Sequence, residues 1–245
     1  MTPMTESTTR THIILVPGFW LGAWSWGAVA AGLADRGHRV TAVTLPGLDS
    51  TESDRSTISL EDHISALVDV ISTTTARERT LLVAHSGAGP VAYGASDRVP
   101  NQLNGIVYVD SGPLQNGAAL RPDLDPSVSE IPLPDWPDLE ADGSSLEGLD
   151  ESMLAAFRAR AVPQPAGPAR DAFELTNPRR FDVPSTVVCS SFPSDTIAQM
   201  SAAGHPMVAE LSRLTKVEYV DLPTGHWPMW SRPADLTAAI DGAAC

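Results

Sequence analysis

Short, almost wholly apolar runs separated by longer amphipathic stretches are what most restricts how this chain can fold. Residues 12–17, 80–84 and 183–189 are apolar with little polar interruption. A strand with one wet face alternates apolar and polar residues, whereas an uninterrupted apolar strand must be covered on both faces. Residues 39–45, 103–109 and 217–222 have similar β-rich character and bring the number of expected strands to six. Between them, helical spacing appears at Trp26, Val29, Ala30 and Leu33, and again at Leu60, Ile64, Leu67, Val68 and Ile71. Ser59 stands where it would cap the second of these helices. Residues 87–97 read as a small-residue helix, 195–214 as a helical stretch, and 233–244 as a last helix. Strands alternating with helices predict an α/β fold: a doubly wound, mostly parallel sheet of about six strands.

One region breaks the alternation. Residues 111–182 contain no evident strand, and between 121 and 151 ten acidic residues face a single base, Arg121. A structureless loop of that length is uncommon inside a compact domain unless it serves as a lid. The expectation is a partly helical cap over the carboxyl ends of the strands, where open α/β sheets bind ligands. Residues 12–110 and 183–245 then form the core, and 1–11 a disordered tail.

Charge removes several functions. With 16 Lys and Arg against 30 Asp and Glu, the net charge is −14. A polyanion whose only lysine is Lys216 is a poor partner for nucleic acid or anionic lipid. No apolar stretch reaches the ~18 residues of a membrane span, and residues 1–11 lack the apolar core of a signal peptide. A cytoplasmic protein is expected. Two cysteines, Cys189 and Cys245, supply neither a disulfide framework nor a Cys-rich zinc site.

Three places carry chemistry. Ala84-His85-Ser86-Gly87-Ala88 follows an apolar strand and opens the small-residue helix. A nucleophile elbow requires this context, with small neighbours around a sharply turned serine and a helix N-terminus beneath it. Alanine stands at both outer glycine positions of the usual G-x-S-x-G pattern. His226, in Thr224-Gly225-His226-Trp227-Pro228, follows the last strand and reaches the same sheet edge as Ser86. A serine hydroxyl needs such a base, because a histidine can take its proton and return it to a leaving group. The turn Pro17-Gly18-Phe19-Trp20 follows the first strand. The N–H groups of Phe19 and Gly87 are the natural pair of oxyanion donors.

Together these features resemble the α/β-hydrolase family over nearly the whole chain. The resemblance is closest to the compact branch of esterases, methyl-ester esterases and plant-type hydroxynitrile lyases. Its first-loop pattern H-G-x-x-x-G-x-W-x-W is met by Pro17 to Trp26, with Pro17 replacing the leading histidine. The resemblance implies a serine–acid–histidine order, no metal and no organic cofactor. The acid has two candidates. The usual family position follows strand 183–189, where Asp195 lies nearby but falls late and could cap a helix instead. Asp110 sits directly at the end of strand 103–109 and is preferred, a placement that resembles a minority of the family.

Trp20 and Trp227 flank the expected oxyanion loop and base and are expected to line the acyl pocket. No Arg or Lys stands beside the motifs, so the expected substrate is an uncharged, fairly hydrophobic ester or lactone cleaved through an acyl-enzyme. Two other functions compete. The hydroxynitrile-lyase resemblance allows a cofactor-free lyase, but those enzymes use a lysine near the site and Lys216 lies at the far end of a strand. A hydrolase-fold ligand receptor with little turnover would retain the pocket without the chemistry. Oligomeric state is not legible.

Overall fold

A computed structural model describes residues 10–75 and 78–244. Of the expected tail, residues 1–9 lie outside the described residues, and Thr11 already belongs to the first strand. The amino-terminal half runs β1 (Thr11–Val16), α1 (Gly27–Asp35), β2 (Arg39–Ala42), α2 (Leu60–Ile71), β3 (Arg79–His85), α3 (Ala88–Arg98) and β4 (Gly105–Val109). The intervening segment holds β5 (Glu130–Ile131), α4 (Trp136–Ala141), α5 (Glu151–Arg160), β6 (Gln164–Pro165) and α6 (Gly167–Arg170). The chain then continues through β7 (Ser185–Cys189), α7 (Ser194–Ala202), β8 (Val217–Asp221), α8 (Pro228–Ser231) and α9 (Pro233–Ala243).

Six strands form one sheet in the order β2-β1-β3-β4-β7-β8, and every pairing is parallel. Alternate residues of β1 face opposite layers, as the pleat requires. Ile13 and Leu15 pack with Trp26, Val29, Leu33, Leu236 and Ile240 on the α1/α9 side. Ile14 and Val16 pack with Leu60, Ile64, Leu67 and Val91 on the α2/α3 side. Both faces are therefore covered, which is why the central residues of β1, β3 and β4 are an unbroken apolar run. After β2 the strand order reverses across β1. This opens a crevice at the carboxyl ends of β1 and β3, where the Pro17–Trp20 turn and Ser86 lie.

Local signals account for the helix starts. Ser59 and Asp62 form a reciprocal capping box at α2: the Ser59 hydroxyl accepts from the Asp62 N–H, and the Asp62 carboxylate accepts from the Ser59 N–H. Three expectations need correction. The stretch 195–214 is not one helix. α7 ends at Ala202, Gly204 turns at φ +73°, and a 3-10 helix resumes at Ala209–Arg213. The helix expected around Trp26, Val29, Ala30 and Leu33 is preceded by a 3-10 turn at Ala23–Trp26 and runs only from Gly27. The 111–182 segment is not strandless, because Glu130–Ile131 pairs antiparallel with Gln164–Pro165. Two residues per strand are too few for periodicity to reveal. Among the described residues, no helix is long and apolar enough to cross a membrane.

Candidate active site

Among the described residues, three non-glycine residues have left-handed backbone: Trp20 (φ +65°), Ser86 (φ +51°) and Asp110 (φ +45°). Such geometry costs on the order of 1–3 kcal/mol per residue and persists only where surrounding contacts enforce it. All three lie at the carboxyl ends of neighbouring strands.

The Ser86 turn is held from both sides. Its N–H donates to the Val109 carbonyl (3.1 Å), and its carbonyl accepts from the Gly89 N–H (3.0 Å) and the Ser111 hydroxyl (2.5 Å). Small neighbours are a spatial necessity here. A Cβ on Gly18 would lie 2.9 Å from the Ser86 Cβ, and one on Gly87 would lie 2.4 Å from the Phe19 ring. Ala84 and Ala88, where the usual pattern has glycine, are almost fully buried, so their methyl groups fill space rather than obstruct it.

His226 joins the other two strand ends. Its Nε2 lies 2.7 Å from the Ser86 Oγ and its Nδ1 2.5 Å from the Asp110 Oδ2. Asp110 has its backbone N–H on the Val188 carbonyl (2.9 Å), which aims the carboxylate at the loop after β7. There Oδ1 accepts the N–H groups of Ser190 (3.3 Å) and Ser191 (2.9 Å), and Oδ2 accepts the Ser191 hydroxyl (2.5 Å). Burial works to raise the Asp110 carboxyl. The hydrogen bond and charge of His226, with the two Ser191 donors, outweigh it and hold the group below its ordinary 3.8. Asp195, the alternative acid, is exposed in the first turn of α7, and His226 Nδ1 is engaged by Asp110.

The main chain of His226 is also fixed. Its N–H donates to the Ser145 carbonyl (2.8 Å), and its carbonyl accepts from His85 Nε2 (2.7 Å). His85 is fully buried and its Nδ1 has no partner among the described residues. Desolvation, reinforced by His226, pushes its pKa down to about 3, so the ring is neutral with its proton on Nε2. The His85 side chain thus braces the backbone of His226.

Among the described residues, neither the Phe19 nor the Gly87 N–H is taken by a protein acceptor. Gly87 caps α3, whose N-terminus favours negative charge. Trp20 is clamped to the intervening segment: its Nε1–H donates to the Ile131 carbonyl (2.9 Å), and its own carbonyl accepts from the Val162 N–H (3.0 Å). Trp227 lies elsewhere than expected. It is 2% exposed and stands behind the imidazole, edge-on to His226 (4.9 Å) and to Phe157 (5.3 Å). Ser191, Ser111 and the bracing role of His85 were missed by sequence reasoning. A serine after a strand has no signature until its acceptor is known.

A small cavity of about 10 Å³ adjoins the oxyanion loop. It is lined by Phe19, Leu45, Leu48, His63, Val91 and Gln164 among others, and by no lysine, arginine or carboxylate. His63 there is neutral, its pKa pushed down to about 4 by burial.

Known proteins share this architecture. A family model described as the alpha/beta hydrolase family matches residues 13–240. Methylesterase 3 of Arabidopsis thaliana is 32% identical over 149 residues, which are 60% of this chain and 52% of that protein. The carbendazim hydrolyzing esterase of Nocardioides sp. is 34% identical over 125 residues, 48% of this chain and 50% of that protein. The chain thus spans about half the length of the curated relatives it matches. Among solved structures, a variant of tomato methylketone synthase I complexed with beta-ketoheptanoate aligns with a TM-score of 0.73 at 17% identity, covering 96% of this chain and 98% of that one. At that identity the likeness concerns the fold. With the family model spanning nearly all of the sheet and its helices, this chain belongs to the alpha/beta hydrolase family.

Proposed function

We propose that the chain is a serine hydrolase that cleaves an uncharged, fairly hydrophobic carboxylic ester or lactone through an acyl-enzyme. The observation that carries this reading is the continuous relay from Asp110 through His226 to Ser86, with contacts of 2.5 and 2.7 Å. Ser86 Oγ attacks the ester carbonyl carbon as its proton passes to His226 Nε2. The N–H groups of Phe19 and Gly87 receive the developing oxyanion. Collapse expels the alcohol, which takes the proton from His226. Water then gives a proton to His226 and attacks the acyl group, and Ser86 recovers its proton as the acid departs. Asp110 stays ionised throughout and holds the Nδ1–H tautomer.

The names of the two relatives, a methylesterase and an esterase, support ester cleavage. No lysine, arginine or carboxylate stands around the Phe19 and Gly87 N–H groups, which supports a neutral carbonyl group at that point. Trp20, beside Phe19, is assigned to the rim of the acyl pocket, and Trp227 to the support of His226.

A panel of neutral aryl and alkyl esters and lactones, assayed with wild type and Ser86→Ala, tests the reading. Turnover is expected for wild type, with a mass increase equal to the acyl group on the Ser86 peptide after acid quench. In Ser86→Ala, kcat should fall by roughly 10⁴-fold or more. Turnover retained in the folded alanine variant would refute the acyl-enzyme route.

A further inference from the structure

Asp110 is unusual in how completely its carboxylate is surrounded by donors, and the loop after β7 supplies all but one of them. The Ser190 and Ser191 N–H groups take Oδ1, while the Ser191 hydroxyl and His226 Nδ1 share Oδ2, each at 2.5 Å. An ionised carboxylate only accepts, so all these donors favour the charged form and fix the plane of the group. The side chain of an aspartate otherwise rotates broadly about its last torsion. Without the hydroxyl, Oδ2 would keep His226 as its only donor, and that donor loses its partner whenever the carboxylate turns.

We propose that Ser191 is a positioning residue for the catalytic relay: its hydroxyl locks the Asp110 carboxylate in the orientation that receives His226. This rests on the acyl-enzyme reading above. Ser191 touches neither substrate nor reacting atoms; it acts through Asp110. Of the other titratable groups near Asp110, two are neutral, while the Asp221 carboxylate opposite Cys189 on β8 is ionised and, with Glu147, borders the same cavity as Ser191. His85 on β3 is deprotonated at its buried position, and the Cys189 thiol on β7 is pushed up to about 12 by burial. Ser191 is the neutral side-chain donor that opposes rotation of the Asp110 carboxylate.

The choice of variant matters. Ser191 borders a cavity of about 470 Å³ shared with Cys189, Phe192, Pro193 and Pro223. A water could enter from it and replace a deleted hydroxyl in Ser191→Ala. Threonine and valine have nearly the same shape, and only threonine keeps the hydroxyl, so the pair isolates the hydrogen bond.

The experiment compares wild type, Ser191→Thr, Ser191→Val and Ser191→Ala in the full chain, with kcat and KM on a neutral aryl ester followed from pH 5 to pH 9. Ser191→Val should lower kcat roughly 10- to 100-fold with KM nearly unchanged. Its acidic limb should move to higher pH, because a carboxylate stripped of a donor binds the shared proton more tightly. Ser191→Thr should restore kcat and the wild-type limb, and Ser191→Ala should fall between the two. In parallel, one-dimensional proton NMR should locate the downfield Nδ1–H signal of His226. That signal should broaden or shift in valine and persist in threonine, whether or not the protein turns over ester. Equal kcat, limb and Nδ1–H signal in folded valine and threonine variants would overturn the proposal. Should Ser191→Val fail to fold, a folded Ser191→Cys variant, which fills the same space with a far weaker donor, with wild-type kcat, acidic limb and Nδ1–H signal would overturn it too. A wild type with an intact Nδ1–H signal and no Ser86-dependent turnover would instead defeat the acyl-enzyme reading and leave the Ser191 contact to be judged by NMR alone.

Discussion

Two buried histidines make the folded state sensitive to mild acid. His63 donates from Nε2 to the Pro46 carbonyl (2.9 Å), and His85 donates to the His226 carbonyl. Burial lowers their values from 6.5 to about 4 and about 3. The native state refuses protons that the unfolded chain accepts, so stability present above pH ~6.5 is lost as pH falls towards the folded values. Each site approaches a slope of about 1.4 kcal/mol per pH unit below pH ~6.5, and together they should remove roughly 3 kcal/mol between pH 6.5 and pH 5. Urea unfolding at pH 7 and pH 5 checks this, and equal stabilities would contradict it. At this same scale the sequence was most informative about chemistry. Ser86, His226 and Asp110, each proposed from its residue type beyond a strand, lie in hydrogen-bond contact. The burial of Trp227 was not legible, because an indole beside a histidine reads alike whether it faces a pocket or, as here, packs in the core.

At the scale of elements, the turn after β1 is tied to the segment between β4 and β7. Trp20 occupies a left-handed conformation and is held by Ile131 on one side and Val162 on the other, and it directly follows the candidate oxyanion donor Phe19. A second tie lies nearby, where the buried Arg55 pairs with Glu130 of β5 (3.2 Å). The seating of the β5–β6 hairpin therefore bears on the oxyanion donors. Trp20→Phe keeps a ring but deletes the donor to Ile131; kcat should drop roughly 5- to 10-fold with little change in KM, measured by steady-state hydrolysis. An unchanged kcat would show that the β5–β6 hairpin and the Pro17–Trp20 turn are not coupled. The strands were legible because double burial writes itself as an unbroken apolar run. The β5–β6 pair was not, being two residues long, and the break after α7 was hidden by a composition that suits helix on both sides of Gly204.

For the molecule as a whole, topology explains why a site exists where it does. The strand order reverses beside β1, and the parallel sheet aligns the ends of β3, β4 and β8 at one edge, so residues 86, 110 and 226 meet despite lying far apart in sequence. The net charge of −14, concentrated in part between residues 121 and 151, disfavours the approach of anions at low ionic strength. The relay of Ser86, His226 and Asp110 is the central claim. Reaction with a neutral fluorophosphonate, read as intact mass and labelled peptide for wild type, Asp110→Asn and Asp195→Asn, tests it most directly. The account predicts a single rapid adduct on Ser86 in wild type and in Asp195→Asn, and labelling slowed by roughly 10³-fold or more in folded Asp110→Asn. A folded wild type that takes no label, or a loss of labelling in Asp195→Asn with Asp110→Asn unaffected, would contradict it.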